Sequence, residues 1–133
     1  MPDSVLDSYA VLAFLFGEPA APEVRRILDE AALAGRPVLM SAVNWAEVLY
    51  RVRREQGERG VEDMRRFKRT MPIELVPADP ALAEAAGELK AAHKMSLADA
   101  FAAALASQRD AELVTGDPEL RALEGTLRLS WLA

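Results

Sequence analysis

The chain has 133 residues, 51% of them hydrophobic and 28% charged, which suits one domain with a sizeable core and excludes a disordered chain. It has no cysteine and one histidine, His93, so disulfide frameworks, thiolate metal sites and histidine-built zinc sites are excluded, and any metal must be held by oxygen. The net charge is −5, but residues 51–69 carry eight of the sixteen Lys and Arg against four acids, making that stretch +4 and the remainder −9.

Taken in chain order, Ser4-Val5-Leu6 reads as a short strand and Ser8 to Phe16 as a helix stopped by Gly17-Glu18-Pro19. The run Tyr9 to Phe16 is the longest apolar stretch, too short to span a bilayer and without a basic leader. Ala21 to Ala34 is an amphipathic helix with Val24, Ile27, Leu28 and Ala31 on one face, ended by Gly35. Pro37 to Met40 is a second strand. Ala42 to Gln56 is a helix with Val43, Ala46 and Tyr50 near its apolar stripe, ended near Gly57. Val61 to Met71 is a further helix, and Ile73 to Val76 a third strand between prolines. Asp79 is an N-cap with Pro80 at the first position of a helix running to about His93. Ser96 starts another, continuing through the alanines of 98–106. Glu112 to Thr115 is a fourth strand and Leu127-Arg128-Leu129 a fifth.

Strands separated by one or two helices imply an α/β chain with a mainly parallel sheet of about five strands covered on both faces. Residues 1–133 show no internal repeat, low-complexity segment or linker and read as a single domain. In such sheets ligands bind beyond the carboxyl ends of the strands. Asp7 and Asp117 stand at such ends, Asp99 in the first turn of a helix, and Glu47 in the helix that leaves the second strand. Each acid also has a local structural explanation. Asp117-Pro118 is a good helix start, and Ser96-x-x-Asp99 is a capping box. Glu47 has an i,i+4 partner in Arg51, a pairing worth about 0.3 kcal/mol. Asp7 has the weakest such explanation, although capping is open to it. Converging carboxylates repel one another, and a chain that gathers them points to a divalent cation and phosphoryl chemistry.

Five segments carry a resemblance. They are Val5-Leu6-Asp7, Leu15 to Pro19, Ser41 to Tyr50, Ser96 to Ala100, and Leu113-Val114-Thr115-Gly116-Asp117. In order and spacing, over essentially the whole chain, they resemble the PIN-domain ribonucleases, specifically the VapC-like toxins of type II toxin–antitoxin systems. The resemblance implies a PIN-like three-layer α/β/α sandwich. It implies Asp7, Glu47, Asp99 and Asp117 as an acidic set holding one or two Mg²⁺ or Mn²⁺ ions, with Thr115 as an adjacent orienting hydroxyl. It also implies a cytoplasmic endoribonuclease, an RNA substrate, a cognate antitoxin protein and a homodimer. Family members commonly carry a small hydroxyl residue two positions after the first Asp. This chain has Tyr9 there, with Ser8 as a substitute hydroxyl.

On this reading a water activated by the metal attacks phosphorus in line with the 3′ oxygen, leaving a 5′-phosphate and a 3′-hydroxyl. No His or Lys acid is required, which suits a chain with a single histidine. Asn44, one turn before Glu47, is a second oxygen donor or an orienting group. Arg51, Arg54, Arg65, Arg66 and Arg69 are candidate RNA-phosphate contacts, weighed against an exposed helix pair laced by Glu55–Arg59 and Glu62–Arg66 ion pairs. Trp45 and Tyr50 read as core or interface, and His93-Lys94 as a solvated helix end. Alternatives are a housekeeping RNA-processing PIN nuclease and a non-catalytic module binding RNA or a partner protein. A phosphatase of the haloacid-dehalogenase type would require a second Asp at position 9.

Overall fold

The computed structural model describes residues 2–132. In chain order the elements are β1 (Ser4–Leu6), α1 (Ser8–Leu15), α2 (Ala21–Ala34), β2 (Val38–Ser41), α3 (Ala42–Thr70), β3 (Ile73–Val76), α4 (Pro80–Ala92), α5 (Leu97–Gln108), β4 (Glu112–Thr115), a 3₁₀ helix (Pro118–Leu123) and β5 (Leu129–Trp131). The five strands form one sheet in the order β3-β2-β1-β4-β5, and every pairing is parallel. Alternating side chains divide the core in two. Leu6, Val38, Met40 and Val114 face a cluster with α1, α2 and α3; Val5, Leu39 and Leu113 face a second cluster with α4 and α5. The result is the expected three-layer α/β/α sandwich. Ala100, Ala102, Ala103, Ala104 and Ala106 are all buried, and these small side chains let α5 lie close on the sheet. Among the described residues no helix is long and apolar enough to cross a membrane.

Two sequence expectations change, and one holds. The two helices expected on either side of Gly57 are the two arms of α3, which break at Gly57, where φ is 65° and ψ −153°. The chain folds back there. Trp45 stacks on Phe67 at 6.4 Å, and a Cβ on Gly60 would fall 2.5 Å from Gln56 Cβ, so the two arms lie against each other. The buried line of the first arm is Asn44, Val48 and Val52, not Val43, Ala46 and Tyr50. Ala46 and Tyr50 face solvent because the partners of this arm are α1, α5 and its own returning half. The fifth strand occupies 129–131 instead of 127–129. The alternation of Leu127, Leu129 and Trp131 runs on through the tryptophan, and pairing with β4 selects its later half.

The strand order has a functional consequence. The chain winds outward from β1 through β2 to β3, then returns to lay β4 on the other side of β1. The winding sense reverses between β1 and β4, and at such a switch point the loops leaving the two carboxyl ends diverge and open a crevice.

Candidate active site

Asp7 directly follows β1 and is 1% exposed. It is the N-cap of α1: its Oδ1 accepts from the Ala10 amide at 2.8 Å. Its other oxygen, Oδ2, accepts a short hydrogen bond from the Thr115 hydroxyl. Thr115 ends β4 and is fully buried, and its Oγ1 in turn accepts from the Asp117 amide at 3.0 Å. A single hydroxyl thus ties the acid after β1 to the loop after β4, across the switch point. Asp117 caps the 3₁₀ helix by accepting from the Glu119 amide at 3.0 Å. Asp99 is in the first turn of α5, buried at 6% exposure, and its amide donates to the Ser96 hydroxyl at 3.0 Å.

These three aspartates form one electrostatic unit. Burial pushes the Asp7 carboxyl from 3.8 up to about 7. Bonds from Thr115 and Ala10 oppose the shift, and the charges of Asp99 and Asp117 add to it. Asp99 also rises to about 7, first through burial and then through the neighbouring Asp117 side chain, opposed by a bond from Ser96. Near neutral pH the metal-free site therefore retains protons on acids that would be ionised in water. Among the described residues no three His, Cys, Asp or Glu side chains close into a ligand cage for a metal ion. The aspartates are near enough to perturb one another without converging on one point.

Glu47 stands apart. It lies half-buried on α3, and it is not among the groups that shift Asp7 or Asp99. The pairing with Arg51 is absent; Arg51 bonds Glu55 at 3.3 Å instead. Asn44, one turn earlier, is fully buried and joins three elements. Its Nδ2 donates to the Ser8 hydroxyl at 3.0 Å and to the Ala98 carbonyl at 3.1 Å, and Ser8 contacts the Asn44 carbonyl at 3.3 Å. Ser8 follows Asp7 and Ala98 precedes Asp99, so Asn44 fixes the spacing of the two segments that carry the buried acids. Its Oδ1 is buried with no partner. The acceptor at Ala98 sets this amide orientation, since a flipped amide would place two oxygens together.

The arginines are all exposed on α3. Arg51 and Arg54 belong to the first arm, with Arg54 over the Tyr50 ring at 5.0 Å. Arg65, Arg66 and Arg69 lie on the returning arm. The ion pairs are Arg51–Glu55, Arg53–Glu58 and Arg66–Asp63. Glu55–Arg59 is lost because the Gly57 bend lies between its members, and Arg66 takes Asp63 in place of Glu62. The capping role left open for Asp7 is realised. One feature was not foreseen from the sequence: the Tyr9 ring covers Gly116, and nothing in the linear sequence indicates that contact.

Three comparisons bear on this arrangement. The PIN domain family matches residues 4–125. A search of curated proteins finds no match. Solved structures of similar fold include a DNA-bound VapBC complex from Salmonella typhimurium, with TM-score 0.79, 19% identity and 100% coverage of both chains. A VapBC complex from Rickettsia felis bound to a promoter DNA fragment has TM-score 0.79, 18% identity and 98% coverage of each chain. A sarcin–ricin-loop-cleaving toxin from Mycobacterium tuberculosis has TM-score 0.72 and 18% identity, covering 90% of this chain and 94% of that one. At these identities the likeness speaks for the fold, and it agrees with the family match across nearly the whole chain: this protein belongs to the PIN-domain family.

Proposed function

We propose that this chain is a metal-dependent endoribonuclease and the toxin of a toxin–antitoxin pair, with an antitoxin protein as partner and a homodimer as its working form. The observation that carries the nuclease reading is the unit of Asp7, Asp99 and Asp117, bridged by Thr115 at the switch point, with two carboxyls raised to about 7. The likeness to VapBC complexes supports the toxin role.

The donors fit a hard divalent cation. They are all oxygen, they carry more negative charge than their burial tolerates, and the unpartnered Oδ1 of Asn44 is a further oxygen beside the acidic segments. Asp7, Asp99 and Asp117 would hold Mg²⁺ or Mn²⁺, with Glu47 reaching in from α3. The cation would supply charge for the phosphoryl transition state and acidify the attacking water.

The protein's own contribution is orientation and proton storage. Ala10 and Thr115 each occupy one lone pair of Asp7, fixing its plane and leaving lone pairs free on both oxygens. Burial and the Asp117 charge raise the Asp99 carboxyl, so Asp99 holds a proton near neutral pH that an arriving cation would displace. Asn44 holds α1 and α5 at fixed spacing, and Arg51 and Arg54, exposed on the same arm of α3, would contact the RNA backbone.

Purified protein incubated with single-stranded RNA and Mn²⁺ should yield fragments with 5′-phosphate ends. Asp7→Asn and Asp99→Asn should each lower the rate by at least about 100-fold, since each removes a charge that the transition state requires. Undiminished cleavage by either variant would remove that acid from the site, and an inert wild-type protein would remove the nuclease reading.

A further inference from the structure

We propose that Tyr9 is a base-stacking platform at the rim of the acidic site, holding the nucleobase beside the scissile phosphate of a single-stranded RNA. This rests on the ribonuclease reading and adds a residue that recognises the substrate.

The argument begins with exposure. Tyr9 is 42% exposed, while its neighbours Ser8 and Ala10 are buried, so the ring is the one side chain of this turn that reaches solvent. A tyrosine serving as core filler would be covered. The ring is also fixed. It lies so close on Gly116 that a Cβ there would fall 2.2 Å from Tyr9 Cε1 and 2.6 Å from Cζ. Gly116 is the residue between Thr115 and Asp117, and Tyr9 is two positions after Asp7. The ring therefore spans the seam between the β1 and β4 loops, lying against Gly116 and partly open to solvent.

Chemistry favours a base as the partner of the exposed part of the ring. Outside residues 51–69 the chain has a net charge of −9, and the aspartates repel a phosphate backbone. Binding close to the acids therefore gains from a contact that carries no charge. A π-face stacks on any base, and such a contact contributes about 1–3 kcal/mol per base in single-strand binders. A pre-positioned ring loses little entropy on binding.

The test compares Tyr9→Leu and Tyr9→Met, which fill similar space without a planar face, with Tyr9→Phe and Tyr9→Trp, which keep one. In cleavage of a single-stranded RNA with Mn²⁺, the aliphatic variants should raise KM about tenfold with kcat nearly unchanged, and the aromatic ones should match wild type. The loss should be equal at low and high salt, unlike that of an arginine contact. In an Asp7→Asn background, quenching of a 2-aminopurine-labelled RNA should be lost with Leu or Met and kept with Phe or Trp. An unchanged KM in the aliphatic variants overturns the proposal, as does Phe behaving like Leu, which would implicate the hydroxyl. Wild-type protein that binds and quenches RNA without cleaving it overturns only the nuclease reading; failure to bind RNA overturns both.

Discussion

At the scale of single residues, the buried carboxyls make the site a pH-dependent burden on folding. Asp7 and Asp99 hold their protons in the folded chain up to about pH 7, whereas in the unfolded chain they release them near 3.8. Between those values the folded state binds more protons, so this contribution to stability is complete below about pH 4 and is lost as pH rises through 7. For Asp7 the difference corresponds to at most about 4 kcal/mol. Asp7→Asn keeps a capping oxygen for Ala10 and has no charge to bury. In EDTA, its urea midpoint at pH 8 should therefore equal or exceed that of wild type, and the difference should vanish at pH 4. A lower midpoint at pH 8 would make Asp7 a structural carboxylate. Asn44 has the opposite character. A carboxylate in its place could not donate to the Ala98 carbonyl, so Asn44→Asp should cost about 2–4 kcal/mol, measured as a fall in melting temperature.

At the scale of elements, α3 shows how a local signal and a tertiary contact divide the work. Gly57 was legible as a break, and its conformation, φ 65° with ψ −153°, belongs to a region essentially reserved for glycine. Gly57→Ala should cost about 1–3 kcal/mol and lower the melting temperature by roughly 3–10 °C. The direction taken after the break was not legible, because it depends on Trp45 meeting Phe67 and on Gly60 admitting close contact between the arms. The same bend decides which arginines share a surface. Arg51 and Arg54 precede it on the arm that also carries Asn44 and Glu47. Replacing both with alanine should weaken RNA binding uniformly across sequences and reduce the slope of log affinity against log salt by about 0.7 for each phosphate they neutralise. An unchanged slope would return these side chains to the solvated-face role.

For the whole molecule, metal, protons and folding should be linked. Loading the site would discharge the protons held on Asp7 and Asp99, so calorimetric titration with Mn²⁺ near pH 7 should show proton release, read from its dependence on buffer ionisation enthalpy. Saturating Mn²⁺ should also raise the melting temperature of wild type at pH 8 and leave that of Asp7→Asn nearly unchanged. The sequence by itself determined the element order, most caps and the residue types of the site. Hydrophobic period, Gly and Pro breaks and N-cap chemistry are local properties, and they located β1, α2, β3 and the start of α4 at their observed residues. It also offered four acids, each with a structural explanation to weigh and Asp7 with the weakest. Only the tertiary structure showed which of them come together. It made Asp7 both a cap and the most buried acid, set the Asp117 charge beside a buried Asp99, left Glu47 at the side and laid Tyr9 across Gly116. The reason is that burial and charge proximity arise from contacts between β1, β4 and α5; the Asp7–Thr115 bond alone joins residues 108 apart in the chain, which meet only when the parallel sheet closes.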